Sequence, residues 1–428
     1  MQTAELYSLY REHPAVQTDT RKLRAGDLFF ALRGDRYNGN AFAAAALDAG
    51  AAYAVIDDPA VAVPGRTILV PDVLKCLQDL ARYHRLQFFI PFLAITGSNG
   101  KTTTKELIHA VLSTTFRTYT TQGNLNNHIG VPLTLLGIRP DAGIAVIEMG
   151  ANHQKEIASY CNYALPSHGL ITNCGKAHLE GFGGVEGVRK GKGELYDHIR
   201  AYGGTVFVMS DYDYLREMSR GIPHCYTYGT QDAQVTGHIV ESEPFLTVQI
   251  TGGSDAGLIR TRLVGSYNLP NVLAAVAVGQ YFGVPAAAQK DAIEAYQPSN
   301  NRSQLLIRGT HTIILDAYNA NPSSMRLAVE NFAALPARSK VLVLGAMAEL
   351  GDATAQEHRE ILALIRSHSW QHVLLVGAAW PQEEKDILYF GTAAAAADWL
   401  RTSNLNDTYF LVKGSRSTQM ETVLDALS

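Results

Sequence analysis

One stretch constrains the fold more than any other: "FLAITGSNGKTTTKELIHAVL", residues 92–112. Its apolar start reads as a buried strand, and the periodic run after Lys101 reads as a helix. Glycines at the junction free the backbone to aim N–H groups at the helix N-terminus, where phosphates bind. From average composition, Gly-x-x-Gly-Lys-[Ser/Thr] is expected by chance in roughly one chain in a hundred of this length. A Walker A loop has the same ending, but it places four residues between its first glycine and the Gly-Lys pair. Here Gly97 and Gly100 enclose two, and Ile95 stands where the standard first glycine falls. The segment Thr96, Gly97, Ser98, Asn99, Gly100, Lys101, Thr102 and Thr103 is therefore a candidate nucleotide loop. Lys101 would neutralise β/γ-phosphate charge and Thr102 would ligate Mg²⁺. A plain strand-to-helix turn is the competing reading.

The rest of the chain alternates strands and helices around this loop, which implies mostly parallel sheets. Short strands "GDLFFAL", "YAVID" and "TILVP", a helix over 41–49 and an amphipathic helix over 72–87 form a small first unit, residues 1–86. A central unit, residues 87–298, carries the loop and the buried strands "GIAVIE", "GLIT" and "TVFVM". Residues 226–264 read as an appended antiparallel patch, followed by a helix over 268–283. The turn-forming "QPSNNRSQ" then opens a Rossmann-like unit, residues 299–428, without a Gly-x-Gly-x-x-Gly fingerprint after its first strand. The expected fold class is α/β in three domains.

With 428 residues, a net charge of −4 and no basic block, the chain suits neither nucleic acid nor a membrane surface. No apolar run is long enough to span a bilayer, and the N-terminus lacks a signal-peptide pattern. Cys76, Cys161, Cys174 and Cys225 are far apart and read as buried free thiols. A cytoplasmic protein is expected.

Other polar residues stand at strand ends. Glu148 closes "IAVIE", where an acid in a phosphate-loop domain can hold Mg²⁺ or simply face water. Asn124, Asn126 and Asn127 crowd one loop, as ligands or as turn formers. His178 and Glu180 follow another strand. Lys190 and Lys192 lie in "RKGKGELYDH", which reads most simply as a solvated turn. Asp316 with the asparagines of "LDAYNANPSSM", and Lys413, Ser415 and Arg416 of "VKGSRS", sit where open α/β sheets bind ligands. The second group is offered to an anion.

In order along the chain, "GNLNNHIGVPLTLL", "VIEMGANHQKEI", "AHLEGFGGVEGV", "KGKGEL", "DAYNANPSSM", "MAELG" and "LVKGSRSTQME" resemble segments of the ATP-dependent Mur ligases of peptidoglycan synthesis. The shortened loop is that family's form. The resemblance implies a UDP-sugar-binding first domain, a central ATPase domain and a third domain for the amino substrate. It implies UDP-MurNAc-tripeptide and D-Ala-D-Ala as substrates, ATP as cofactor, and a monomer. Lys101, Glu148, His178 and Lys192 become the catalytic set. Thr102 and Glu148 serve one Mg²⁺; His178 and Lys192, the latter as a carbamate, serve a second. The "KGEL" context favours Lys192 over Lys190. Asn268, Asn271, Arg302 and Asp316 match nucleotide contacts. "DTRKLRAGDLFFALRGDRYNGNAF" resembles the uridine-nucleotide segment, which brings in Thr20, Arg21, Phe30 and Gly34. Asn124, Asn126, Asn127, Asn152, His153, Tyr318, Asn319, Asn321, Lys413 and Ser415 complete the substrate set.

Two positions depart from the family pattern. Asn301 precedes Arg302 where a glycine is common, and Ala346 stands where an aspartate is common, although Glu349 remains. Alternative readings are another Mur-type ligase, a folylpolyglutamate synthase-like amide ligase, or a non-catalytic nucleotide-gated protein. No Asp-Asn-Pro-Arg stretch marks the diaminopimelate-adding relative; "NANP" occupies the comparable place.

Overall fold

The computed structural model describes residues 2–35, 37–299, 301–382 and 384–427, and the alternating pattern folds into three main sheets, with a short hairpin beside the first. The first sheet is parallel throughout, in the order Val16–Gln17, Leu28–Phe30, Tyr53–Ile56, Thr67–Leu69. Beside it, Asp72 caps the helix Val73–Arg85 by accepting from Lys75 N–H, and Val73, Leu77, Leu80 and Ala81 form its buried stripe. The helix expected over 41–49 is Ala43–Asp48, entered through a 3₁₀ turn, Gly39–Phe42. A first helix, Thr3–Glu12, had no counterpart in the sequence reading. It fastens this unit to the next: Arg139 Nη1 donates to the Tyr10 hydroxyl at 3.2 Å, and its Nη2 to Pro14 O at 2.7 Å.

The central sheet has nine strands. Its first strand in sequence, Phe92–Thr96, lies between Ile144–Glu148 and His168–Ile171, all parallel. Chain order reverses at that point, so a crevice opens at the strands' carboxyl ends, where the glycine loop begins. The antiparallel ladders expected over 226–264 are present between Val235–Glu241, Thr247–Gly252 and Leu258–Arg260, but the region is continuous with the main sheet. His224–Gly229 pairs parallel with Thr205–Met209 and with Val235–Glu241, so the region extends the main sheet. "RKGKGELYDH" is no solvated turn. It lies inside the helix Val185–Tyr202, with Lys192 buried. The glycines there allow close packing: a Cβ at Gly191 would sit 2.4 Å from the Phe182 ring.

In the third sheet, Gln304–Arg308 pairs antiparallel with His311–Asp316, and the other four strands run parallel. The last strand, Tyr409–Lys413, inserts between His311–Asp316 and Lys340–Gly345 and sets Lys413 directly opposite Asp316. Of the cysteines, Cys161 and Cys174 are buried, but Cys76 and Cys225 are only half-buried. Among the described residues, no helix is long and apolar enough to cross a membrane.

Candidate active site

The loop after Phe92–Thr96 is held open by its glycines. Gly97 has φ +145°, and a Cβ there would lie 2.0 Å from Thr172 Oγ1. Gly100, at φ +79°, caps the helix Lys101–Leu112 and would meet Asn271 Oδ1 at 2.7 Å. The segment after the neighbouring strand braces the loop. Ser98 N donates to Asn173 O at 2.9 Å, Asn99 N to Asn173 Oδ1 at 3.1 Å, and Thr172 Oγ1 to Asn99 O at 2.6 Å. Thr172 and Asn173 were missed in the sequence, where nothing but proximity to a strand end marks them. Lys101 folds over the loop, donating to Gly97 O at 2.6 Å and Ser98 O at 3.2 Å. Both acceptors are neutral carbonyls. Burial pushes its ammonium down to about 8, Glu148 opposes that shift, and Arg302 adds to it.

Glu148 sits beside the loop, 1% exposed. Its Oε1 accepts from Thr102 Oγ1 at 3.2 Å and from Asn126 Nδ2 at 2.8 Å. Oε2 is buried with no hydrogen-bond partner, although Lys105 Nζ stands 3.9 Å away. Lys105 itself donates to Thr121 O at 2.7 Å. A buried carboxylate oxygen with no donor, next to a hydroxyl at a phosphate loop, suits a hard divalent cation.

Lys192 Nζ donates to Ala151 O at 3.0 Å and lies 4.8 Å from the centre of the Phe182 ring. Burial, then the Lys101 charge, push its ammonium down to about 7. His178 has a left-handed backbone, φ +50°, and so does Glu349, φ +62°. Their side chains meet across the domain boundary, with His178 Nδ1 2.6 Å from Glu349 Oε2, close enough for an ion pair but outside hydrogen-bond alignment. The contact holds the Glu349 carboxyl below its usual range.

Comparison with known proteins places the chain in a family. The Mur ligase middle domain matches residues 95–279, the Mur ligase glutamate ligase domain 301–416, and the Mur ligase family catalytic domain 14–85. The UDP-N-acetylmuramoyl-tripeptide–D-alanyl-D-alanine ligase of Escherichia coli strain K12 is 35% identical over 96% of this chain and 93% of its own. The chain belongs to the Mur ligase family. The Bacillus subtilis ligase of the same name is 36% identical over 85% of this chain and 79% of its own. Acinetobacter baumannii MurF superposes with a TM-score of 0.87 at 33% identity, covering 96% of this chain and 93% of its own. Thermotoga maritima MurF in complex with ADP gives 0.84 at 26%, covering 96% of each chain.

In this Mur ligase, several residues expected to touch ligands are otherwise engaged. Phe30 is fully buried in the first domain's core, so no face of its ring is free to contact a nucleotide. Lys413 is buried and ion-paired with Asp316, and Ser415 Oγ donates to Ala346 O at 2.6 Å. Arg416 Nη1 pairs with Glu421 at 2.7 Å, so all three side chains offered to an anion at "VKGSRS" already have protein partners. Asn268 and Asn271 are buried under the loop. Asn271 Nδ2 donates to Asn268 Oδ1 and its Oδ1 accepts from Thr104 Oγ1, so they support the loop from below. Asn127 Oδ1 accepts from Ile129 N and Gly130 N at the start of a helix, and Asn126 belongs with Glu148. Asn124 lies in the same loop, its carbonyl accepting from Asn126 N.

The rest are better exposed. Asn152 and His153 donate their backbone N–H groups to Glu156 Oε2. Thr20 and Arg21 form an exposed 3₁₀ turn in which Arg21 pairs with Asp19 at 2.8 Å and holds its carboxyl down to about 2. Arg21, Lys22 and Arg24 line an open cavity of about 540 Å³. Gly34 is exposed under the Tyr37 ring. Arg302 stacks on Tyr318, 3.7 Å from guanidinium to ring centre. Asn319 Oδ1 accepts from Ala320 N, and Asn321 Nδ2 reaches the loop itself, donating to Asn99 Oδ1 at 2.7 Å.

Proposed function

We propose that this chain is an ATP-dependent ligase that joins D-alanyl-D-alanine to UDP-MurNAc-tripeptide, releasing ADP and phosphate. The observation that carries the substrate assignment is similarity along nearly the whole chain to ligases of that one specificity. The peptide carboxylate attacks the γ-phosphorus of ATP to give an acyl phosphate. The dipeptide amine then attacks the acyl carbon, and the tetrahedral intermediate collapses with loss of phosphate.

The obstacle is the meeting of two anions. Lys101, which among the described residues forms no ion pair with a carboxylate, turns from the loop carbonyls to the transferring phosphoryl group. Loop N–H groups hold the other phosphates. Thr102 and Glu148, with its unpartnered Oε2, are the residues that fit Mg²⁺. His178 and Lys192, the latter as a carbamate, would hold a second ion. An amine held near 7 is partly neutral at physiological pH, the form that adds CO₂. Bound Mg²⁺ supplies charge cancellation between carboxylate and phosphate. Residues 1–86 hold the uridine nucleotide, with Thr20 and Arg21 in the turn at the basic cavity and Gly34 on the exposed hairpin. Residues 87–298 hold ATP, and residues 299–428 bring the dipeptide, with Arg302 and Tyr318 beside the nucleotide. Closure of the third domain keeps water from the acyl phosphate.

The deciding assay is phosphate release with UDP-MurNAc-tripeptide, ATP and Mg²⁺, with and without D-Ala-D-Ala. Dipeptide-dependent release is expected. Turnover instead with a free diamino acid and UDP-MurNAc-dipeptide would move the protein to an earlier step of the same chemistry.

A further inference from the structure

Residues 172–178 touch the phosphate loop and the third domain at once. Thr172 and Asn173 brace the phosphate loop, and Ser98 Oγ donates to Gly175 O at 2.8 Å. The segment ends at His178, which faces Glu349 of the third domain. Between them, Lys176 is gripped by that domain at both ends of the residue. Its backbone N donates to Ser323 Oγ at 2.9 Å, at the start of the helix Pro322–Ala334. Its Nζ lies 2.6 Å from Glu357 Oε1 and 3.5 Å from Glu360 Oε2, one turn apart on the helix Thr354–Arg366. The Glu357 side chain is 6% exposed, so the pair works at low local dielectric on the carboxylate side. Gly175 is packed so closely that a Cβ would meet Ser323 Oγ at 2.9 Å.

We propose that Lys176 is a positioning residue for the ligase reaction: its ion pair with Glu357 sets where the third domain docks on the segment that braces the phosphate loop. Docking and loop geometry then become one event. A third domain seated through Lys176 also brings Glu349 to His178 and Asn321 to Asn99. Lys176 touches no reacting atom. It acts through the domain that carries the amine, so its loss lowers kcat more than it raises the KM for ATP. The inference rests on the ligase reading for its kinetic arm only.

The test compares Lys176→Met, Lys176→Arg and the exchange Lys176→Glu with Glu357→Lys, by steady-state kinetics and by small-angle X-ray scattering of the ligand-free full chain. Lys176→Met is expected to lower kcat about tenfold, the factor given by losing a contact of about 1.4 kcal/mol, with ATP KM within about threefold of wild type. Its radius of gyration should rise as the third domain loosens. Lys176→Arg should keep both values, and the exchange should recover activity relative to either single reversal. A Lys176→Met enzyme with wild-type kcat and scattering overturns the proposal. So does an exchange no better than its worse single variant. A wild-type protein without ligase activity sinks the ligase reading instead, and the scattering comparison still decides the docking role.

Discussion

Two strand ends in this molecule carry nearly the same residues and differ in what their charges have left to do. Phe92–Thr96 runs into Gly97, Ser98 and Lys101; Tyr409–Lys413 runs into Gly414, Ser415 and Arg416. Both are carboxyl ends of strands in parallel ladders, the usual place for a ligand in such a sheet. At the first, glycines in left-handed φ open the loop, and Lys101 rests on neutral carbonyls. At the second, register puts Lys413 opposite Asp316, and the charges cancel. Residue types at a strand end therefore say little about binding. Whether a cation is spent on a carboxylate decides it.

The largest expected effect tests that distinction directly. Lys101→Ala should lower kcat by about 10²–10³-fold while thermal stability stays near wild type, since among the described residues Lys101 forms no ion pair with a carboxylate and donates only to neutral carbonyls. Lys192→Ala should also lose most activity, in steady-state phosphate release, and regain some when short carboxylates are added. Full activity without them would remove the carbamate role. Lys413→Met should do the opposite of Lys101→Ala. It leaves Asp316 partly buried without its partner and should cost about 3 kcal/mol of stability in urea unfolding, with kcat within about tenfold. If Lys413→Met instead keeps its stability and loses catalysis as Lys101→Ala does, the two ends are alike and the comparison fails.

The same difference explains what the sequence could reveal. The loop was legible because its glycines, lysine and threonine are consecutive, and the strand and helix around them are strongly apolar and periodic. Glu148 was legible as a strand-end acid, but its free Oε2 depends on Thr102 and Asn126 arriving from other segments. Lys192 looked solvated because glycines normally argue against a helix interior; here Gly191 lets the helix approach Phe182 and bury the lysine. Phe30 lies in a three-residue strand buried throughout, so no alternation marked which face was inward. The partners of Lys413 and Ser415, Asp316 and Ala346 O, were not legible, because no single segment encodes which strand ends meet. Lys105, Asn173 and Lys176 had no signal beyond their neighbours.

The amino end of the same central sheet sharpens the contrast by pH. His168 starts its strand packed against Phe207, Tyr281 and Phe282, and burial pushes its imidazole down to about 4. A depressed folded pKa means the unfolded chain takes up the proton first. Stability should therefore be intact above the unfolded value of about 6.5 and fall as pH drops toward 4, by up to about 1.4 kcal/mol per pH unit. Denaturant midpoints between pH 7 and 4.5 should show this slope, reduced in His168→Gln. An unchanged slope in that variant would place the acid sensitivity elsewhere.

The smallest effect concerns the arginine shared between the two sheets' ends. Asn301 has φ +56° and Ser303 φ +46°, so Arg302 is presented from a backbone bent into the left-handed region on both sides. That geometry accounts for the glycine common before this arginine in the family: glycine takes the conformation freely, and asparagine is among the residues that tolerate it best. Asn301 is further fixed by donating to Gln304 Oε1 at 3.0 Å and accepting from Tyr318 N at 3.2 Å, which keeps Tyr318 beneath the Arg302 guanidinium. The departure from the family pattern is then a conservative one. Asn301→Gly should shift stability by only a few tenths of a kcal/mol and leave ATP KM unchanged. Asn301→Val should cost about 1–2 kcal/mol, because a branched Cβ clashes there, and should raise ATP KM as Arg302 leaves its stack. Equal KM values for the valine and glycine variants would show that Arg302 acts without this arch, and its link to the phosphate loop would rest on charge alone.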